Sequence, residues 1–228
     1  MTDRPILFSG TMVRAILDGR KTQTRRIVKL AGFDRSDTPG YAYQYRDRRG
    51  LWNDIKWPEG IERLSPYGRP GDRLWVRERF RYYYDEPGLW DCVQYADGSM
   101  MKPDGLGVAD GHRFSERCRA DALWRPSIHM PRWASRITLE VVSVRVEQLR
   151  RITGGNAVAE GYPHRDPKTF DVDRIAHAYQ AATDWFRDLW VSINGPGSWD
   201  ANNWVWVVEF RHLPNATNHG GADAPPVD

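Results

Sequence analysis

Between positions 19 and 26 the chain reads Gly19, Arg20, Lys21, Thr22, Gln23, Thr24, Arg25, Arg26. Lysine is scarce in this protein: of 33 basic residues only five are Lys. A lysine crowded by guanidinium groups sits in a positive field that disfavours its own charge. Near neutral pH such an amine can act as a base, and the neighbouring threonines supply a hydroxyl that can attack an acyl group. The same residues fit a plainer role. Arg20 and Lys21 follow a helical segment and neutralise the negative end of its dipole. These residue types leave both roles open.

The elements that position this segment are legible nearby. Pro5 to Phe8 is a short apolar run that predicts a first strand. Ser9 is placed as an N-cap, and Met12, Val13, Ile16 and Leu17 recur at helical spacing up to Gly19, a helix-ending residue. The Gly19–Arg26 stretch therefore leaves the helix as a loop or strand, with Lys21 read as an exposed loop lysine. Residues 31–70 are rich in Gly, Pro, Asp and Arg and read as a long irregular insertion. Gly71 and Asp72 turn into a strand over Arg73–Glu78. Residues 81–118 carry weak strand signals in no clear order. Trp124 to Trp133 is a proline-bounded loop. A long strand from Arg136 to Val146 follows. Its apolar alternation changes phase between Val141 and Val142, which predicts a bulge. A short helix over Gly154–Glu160 ends at Gly161. A second helix, capped by Asp171 or Asp173, buries Ile175, Ala178, Ala182, Trp185, Phe186, Leu189, Trp190 and Ile193 and stops at Asn194–Gly197. Trp204 to Phe210 is the clearest strand, expected to be central. The chain from 214 to 228 is expected to be a disordered tail.

Composition narrows the function classes. The 228 residues suit one large domain, and 40% hydrophobic content can bury a core. A net charge of +3 excludes a histone-like tail. The positive charge is nearly all guanidinium, which suits bidentate phosphate contacts. The 11 Trp and 10 Tyr can fill a core or stack on bases. Cys92 and Cys118 match no CxxC pattern, so neither a zinc site nor a disulfide scaffold is expected. No GxGxxG or Walker loop supports a nucleotide cofactor. No signal-peptide core and no run of 18 apolar residues occurs, so a soluble cytoplasmic protein is expected. Strands at both ends, an early helix, a coiled strand and a late helix point to an α+β fold built as a small β-barrel with flanking helices.

Several motifs together resemble a known family. The helix followed by Gly19-Arg20-Lys21-Thr22-x-Thr24-x-Arg26, the Gly71-Asp72-x-Leu74-x-Val76 strand and the closing Trp206–Phe210 strand are similar to the ASCH domain family. Phe8-Ser9-Gly10-x-Met12-Val13-x-Ala15 and Pro126–Ala134 resemble a phage and prophage group within it. The likeness spans about residues 4–213, read as one domain with insertions at about 31–70 and 79–125. It implies a PUA-like β-barrel linked to RNA binding, and a location in bacterial cytoplasm or, if phage-encoded, in the host's.

One branch of that family consists of N4-acetylcytidine amidohydrolases, and this chain is much longer than they are. The resemblance implies Lys21 as base, Thr24 as nucleophile and Glu160 as proton donor, with no metal and no cofactor. Arg25 and Arg26, or backbone N–H groups, would hold the oxyanion. Outside the resemblance, Glu160 also reads as a helix-end carboxylate held by an arginine. For substrate or nucleic-acid binding, Arg20, Arg25, Arg26 and Arg132 are the phosphate-contact candidates, with Trp124 and Trp133 as stacking surfaces and His129 as an acid–base group. The plainer alternative is that both tryptophans are core. Three functions follow as expectations. The first is an amidohydrolase acting on a modified base, nucleoside or nucleic acid. The others are a non-catalytic RNA- or DNA-binding module and a ribonuclease using the same basic cleft.

Overall fold

Strand β11 (Trp204–Leu213) sorts the molecule into two cores. Trp206, Val208 and Phe210 pack into one cluster, and Val205 and Val207 into another. This is the two-residue period of a strand buried on both faces. The computed structural model describes residues 2–56, 59–86, 89–101, 123–164 and 172–213. The expected tail at 214–228, the cap at Asp171 and the stretch 102–122 lie outside them.

A five-stranded sheet carries the fold, in the order β1 (Asp3–Leu7), β6 (Arg73–Arg77), β10 (Thr138–Gln148), β11, β2 (Gln23–Ile27). β1 and β6 are parallel; β6, β10, β11 and β2 pair antiparallel. The architecture is mixed α+β, and hydrogen bonds do not close the sheet into a barrel. One face packs helix α1 (Gly10–Leu17) through Val13 and Ile16. The other packs α3 (Gly154–Ala159) and α4 (Val172–Asn194) through Ala157, Ala182, Phe186 and Trp190. Of the stripe expected on α4, Ala182, Phe186 and Trp190 are buried, Ile175, Ala178, Trp185 and Leu189 are half-buried, and Ile193 is 55% exposed.

The phase change in β10 is a register shift between Val141 and Ser143, which leaves Val142 exposed. Leu139 and Val141 before it and Val144 and Val146 after it all reach the same core. One extra residue thus keeps the apolar side inward while the strand coils. It also puts Glu147 on the face of α3 and α4, opposite Val205.

The 31–70 stretch departs from the irregular segment expected. It forms a three-stranded meander, β3 (Ala31–Arg35), β4 (Tyr43–Arg46) and β5 (Trp52–Ile55), then a helix α2 (Glu59–Leu64). Phe33, Tyr43, Ile55 and Ile61 anchor it in the first core. Its strands are four or five residues long and mostly polar, so periodicity is too weak to reveal them. A third small core joins β7 (Phe80–Glu86) and β8 (Leu89–Tyr95) to the loop before β10 through Phe80, Tyr82, Val93, Tyr95, Met130 and Ala134. β9 (Met100–Met101) pairs with β8.

Candidate active site

Ser9 caps α1 by accepting a hydrogen bond from the Met12 amide, and Gly19 (φ +71°) turns the chain at its end. The amides of Arg20 and Lys21 both return to the Ala15 carbonyl, at 2.8 and 2.9 Å. Lys21 then forms an isolated antiparallel bridge with Glu160, the C-cap residue of α3. The Thr22 amide donates to Ala159, and the Thr22 carbonyl accepts from Phe210. The stretch is thereby fastened between a helix end and a central strand. Gly161 (φ +103°) makes the close approach possible: a Cβ there would lie 3.1 Å from Ala15 Cβ and 3.2 Å from Lys21 Cβ.

Lys21 is buried, not an exposed loop lysine. Its Nζ donates to the Gln23 carbonyl, the Glu160 carbonyl and Glu160 Oε2, each at 2.8 Å. The other carboxylate oxygen, Oε1, accepts from Arg25 at 3.2 Å, and Arg25 reaches Glu147 Oε2 at 3.2 Å. The Lys21 and Arg25 side chains are wholly buried and Glu160 is nearly so. Burial lowers the Lys21 pKa from its ordinary value. The Glu160 carboxylate opposes that shift, while Arg26 and Arg25 add to it. Burial also lowers Arg26.

Strand alternation divides the remaining residues. Thr24 and Arg26 lie opposite Val208 and Trp206 on the α1 face; Arg25 lies opposite Val207 on the α4 face. Arg25 accordingly sits over the Phe186 ring at 5.8 Å, and Arg26 over Phe8 at 5.2 Å. Lys21 Nζ also lies over Phe8, at 5.6 Å, which puts the amine on the Thr24 and Arg26 side. Thr24, Arg25, Arg26 and Glu160 line one cavity of about 370 Å³. Its walls come from both edges of the sheet, Ile6 and Leu7 of β1 and Thr24 to Ile27 of β2, with Phe186, Trp190 and Ile193 from α4. The Arg26 guanidinium donates across this seam to the Leu7 carbonyl. Ile193 is exposed because it faces this opening. Among the described residues the Thr24 hydroxyl has no hydrogen-bond partner. Arg25 Nε and Arg26 Nε are buried without one. Glu160 also lines a second cavity of about 550 Å³, with Arg14, Arg20 and Trp185.

Glu160 thus meets Lys21 and Arg25 directly and shares the 370 Å³ cavity with Thr24, Arg25 and Arg26, while Lys21 lines neither cavity. Arg20 stands at the second cavity, holding Asp18 and the carbonyls of Gly161 and Tyr162. Trp124, His129, Arg132 and Trp133 line neither cavity. Arg132 pairs with Asp3 at 3.3 Å, Trp133 stacks on Tyr82, and His129 is exposed. Sequence reasoning missed Glu147, whose link to Arg25 depends on the β10 bulge, and Phe8 and Phe186, which read only as core. Among the described residues no group of three His, Cys, Asp or Glu could hold a metal ion, and no helix is long and apolar enough to cross a membrane. No family model matches this chain, and no curated protein or solved structure matches it.

Proposed function

We propose that this protein is an amidohydrolase that removes an acyl group from a modified base, N4-acetylcytidine being the form to test first. The observation that carries the reading is the buried Lys21–Glu160 contact, 2.8 Å long, with Glu160 lining the same cavity as Thr24, whose hydroxyl has no partner among the described residues. Support also comes from the similarity of the Gly19–Arg26 segment, and of Ile152-Thr153 with the short helix to Glu160-Gly161, to the ASCH amidohydrolases. The same reading takes the five-stranded sheet as a PUA-like barrel whose seam, between β1 and β2, is the cavity mouth.

Thr24 Oγ1 attacks the acyl carbonyl as neutral Lys21 takes its proton. Arg26 Nε, or a backbone N–H, donates to the oxyanion. The proton passes across the Lys21–Glu160 contact, and Glu160 delivers it to the departing exocyclic nitrogen. The base leaves as a free amine and the acyl group stays on Thr24 as an ester. Water then attacks that ester, Thr24 regains its proton and the acid is released. The reaction consumes one water and yields one amine and one carboxylic acid.

A second reading has its own observation: all three Lys21 protons are already engaged by protein acceptors. A fully satisfied ammonium suits a fixed structural ion pair, and the cavity would then only hold a base. Incubating the protein with N4-acetylcytidine, with chelator present, and weighing the products separates the two. Cytidine and acetate are expected from wild type and absent with Thr24→Val. Wild-type protein that binds the nucleoside unchanged would establish the binding module.

A further inference from the structure

We propose that the face formed by residues 75–82 and the 124–133 loop is a platform for single-stranded nucleic acid. Five guanidinium–aromatic pairs occupy these two short segments. Arg79 and Arg81 lie over Trp124 at 5.4 and 4.9 Å, Arg125 over Tyr82 at 5.1 Å, and Arg77 and Arg132 over Trp75 at 4.5 and 5.8 Å. Eight further cation–aromatic pairs are spread over the rest of the described residues, so these two short segments hold five of thirteen. Tyr82 and Trp133 stack with centroids 5.9 Å apart and planes at 13°, and Trp133 remains 39% exposed.

Charge decides the partner. Among the described residues, Asp3 is paired with Arg132, and Glu78 and Asp97 with Arg136. Arg79 is exposed and has no ion-pair partner among the described residues. A purely apolar face would fit a protein, and a purely basic one a duplex backbone. Trp75 and Tyr82 are buried, so the rings open to stacking are the half-buried Trp124 and the exposed Trp133. Set among guanidinium groups, these two rings fit unpaired bases, which stack, joined by phosphates, which take the charge.

The platform adjoins the candidate active site. Leu7, in the wall of the 370 Å³ cavity, pairs with Arg77 in the parallel β1–β6 ladder. Arg77 also donates to the Ile128 carbonyl of the loop at 3.2 Å. Adjacent strands are about 4.8 Å apart, so a strand held here has a neighbouring nucleotide within reach of the cavity. The substrate class that follows is a modified base within a single strand. That last step rests on the amidohydrolase reading; the platform does not.

Fluorescence anisotropy of the full chain with 12-nucleotide oligouridylate and oligothymidylate tests the platform, the two arms distinguishing RNA from DNA. Binding to at least one is expected, weakening with salt at a log–log slope of about −0.7 per phosphate contacted. Arg79→Glu, on the surface, and Trp133→Leu, checked by thermal melt, should each weaken it about ten-fold. Affinity unchanged in Arg79→Glu, equal affinity for a duplex of the same length, or no binding to either oligonucleotide overturns the platform. Hydrolysis of free N4-acetylcytidine in the same preparations reads the enzyme separately. Variant-sensitive oligonucleotide binding without hydrolysis removes only the amidohydrolase reading; hydrolysis with variant-insensitive binding removes only the platform.

Discussion

Thr24 is the residue at which chemistry and stability come apart most cleanly. Thr24 lines the cavity, and among the described residues its hydroxyl makes no hydrogen bond. Thr24→Val keeps the branched shape and deletes only that hydroxyl, so the fold should change by about 1 kcal/mol or less. If Thr24 is the nucleophile, turnover falls about a thousand-fold or more in the same protein. Full turnover in Thr24→Val would remove it from the mechanism. Lys21 is a less clean target, because burial places it in a cluster with Glu160 and Arg25. Lys21→Ala leaves part of that cluster unpaired, at a cost approaching about 3–5 kcal/mol. Lys21→Arg adds bulk where no space is open and must be judged beside a melting curve. The pH profile of wild type is therefore the better probe. A base of lowered pKa gives a rate that rises with pH to a plateau whose midpoint lies below the ordinary lysine value of 10.5. A midpoint at or above that value would exclude Lys21 as the base.

At the scale of elements, the end of α3 decides where Glu160 stands. Thr153 caps its start, accepting from the Asn156 amide, and Gly161 ends it in a conformation that side chains rarely adopt. Gly161→Ala combines positive φ with two close Cβ contacts, to Ala15 and Lys21. A loss of about 1–3 kcal/mol is expected in denaturant unfolding, with turnover reduced as Glu160 shifts. Unchanged stability would mean that the helix end is not held as tightly as the contacts require. The β10 bulge plays the same part from the other side. Were the two-residue alternation of Leu139 and Val141 to run on through Val142 as an ordinary strand residue, Glu147 would fall on the apolar-core side, away from Arg25. Deleting Val142 joins Val141 and Ser143, which already pair with the consecutive residues Phe210 and Glu209, and leaves Glu147 on its face; it should cost little more stability than the exposed Val142→Thr change, which melting temperatures of the two variants compare directly.

For the whole molecule, burial of titrating groups sets how stability varies with pH. Lys21 has a lowered pKa when folded, so between that value and 10.5 the unfolded chain holds a proton that the folded chain lacks. Stability then rises with pH through this window. Tyr43, Tyr67 and Tyr95 are pushed up by burial. Above about pH 10 the unfolded chain loses their protons first, and stability falls. Subtracting the urea stability of Lys21→Met from that of wild type cancels the tyrosines. The difference should shift in favour of wild type as pH climbs toward 10.5, and a flat difference would show that Lys21 keeps an ordinary pKa.

Local signals were enough to place much of this chain. Ser9 and Gly19 bound α1, Gly161 ends α3, and the break in alternation at Val142 marks the bulge, because capping, left-handed turns and strand period are written in neighbouring residues. From residue type and the ASCH-like motif, Lys21, Thr24 and Glu160 were expected to form one catalytic set. Tertiary structure alone decided that Lys21 is buried, that its amine meets a carboxylate 139 positions away, and that Glu147 braces Arg25. It also ordered residues 31–64 into strands and a helix whose apolar residues are too few to declare themselves. Burial and ion pairing depend on which distant segments close on one another, and a period of two or 3.6 residues carries no record of that.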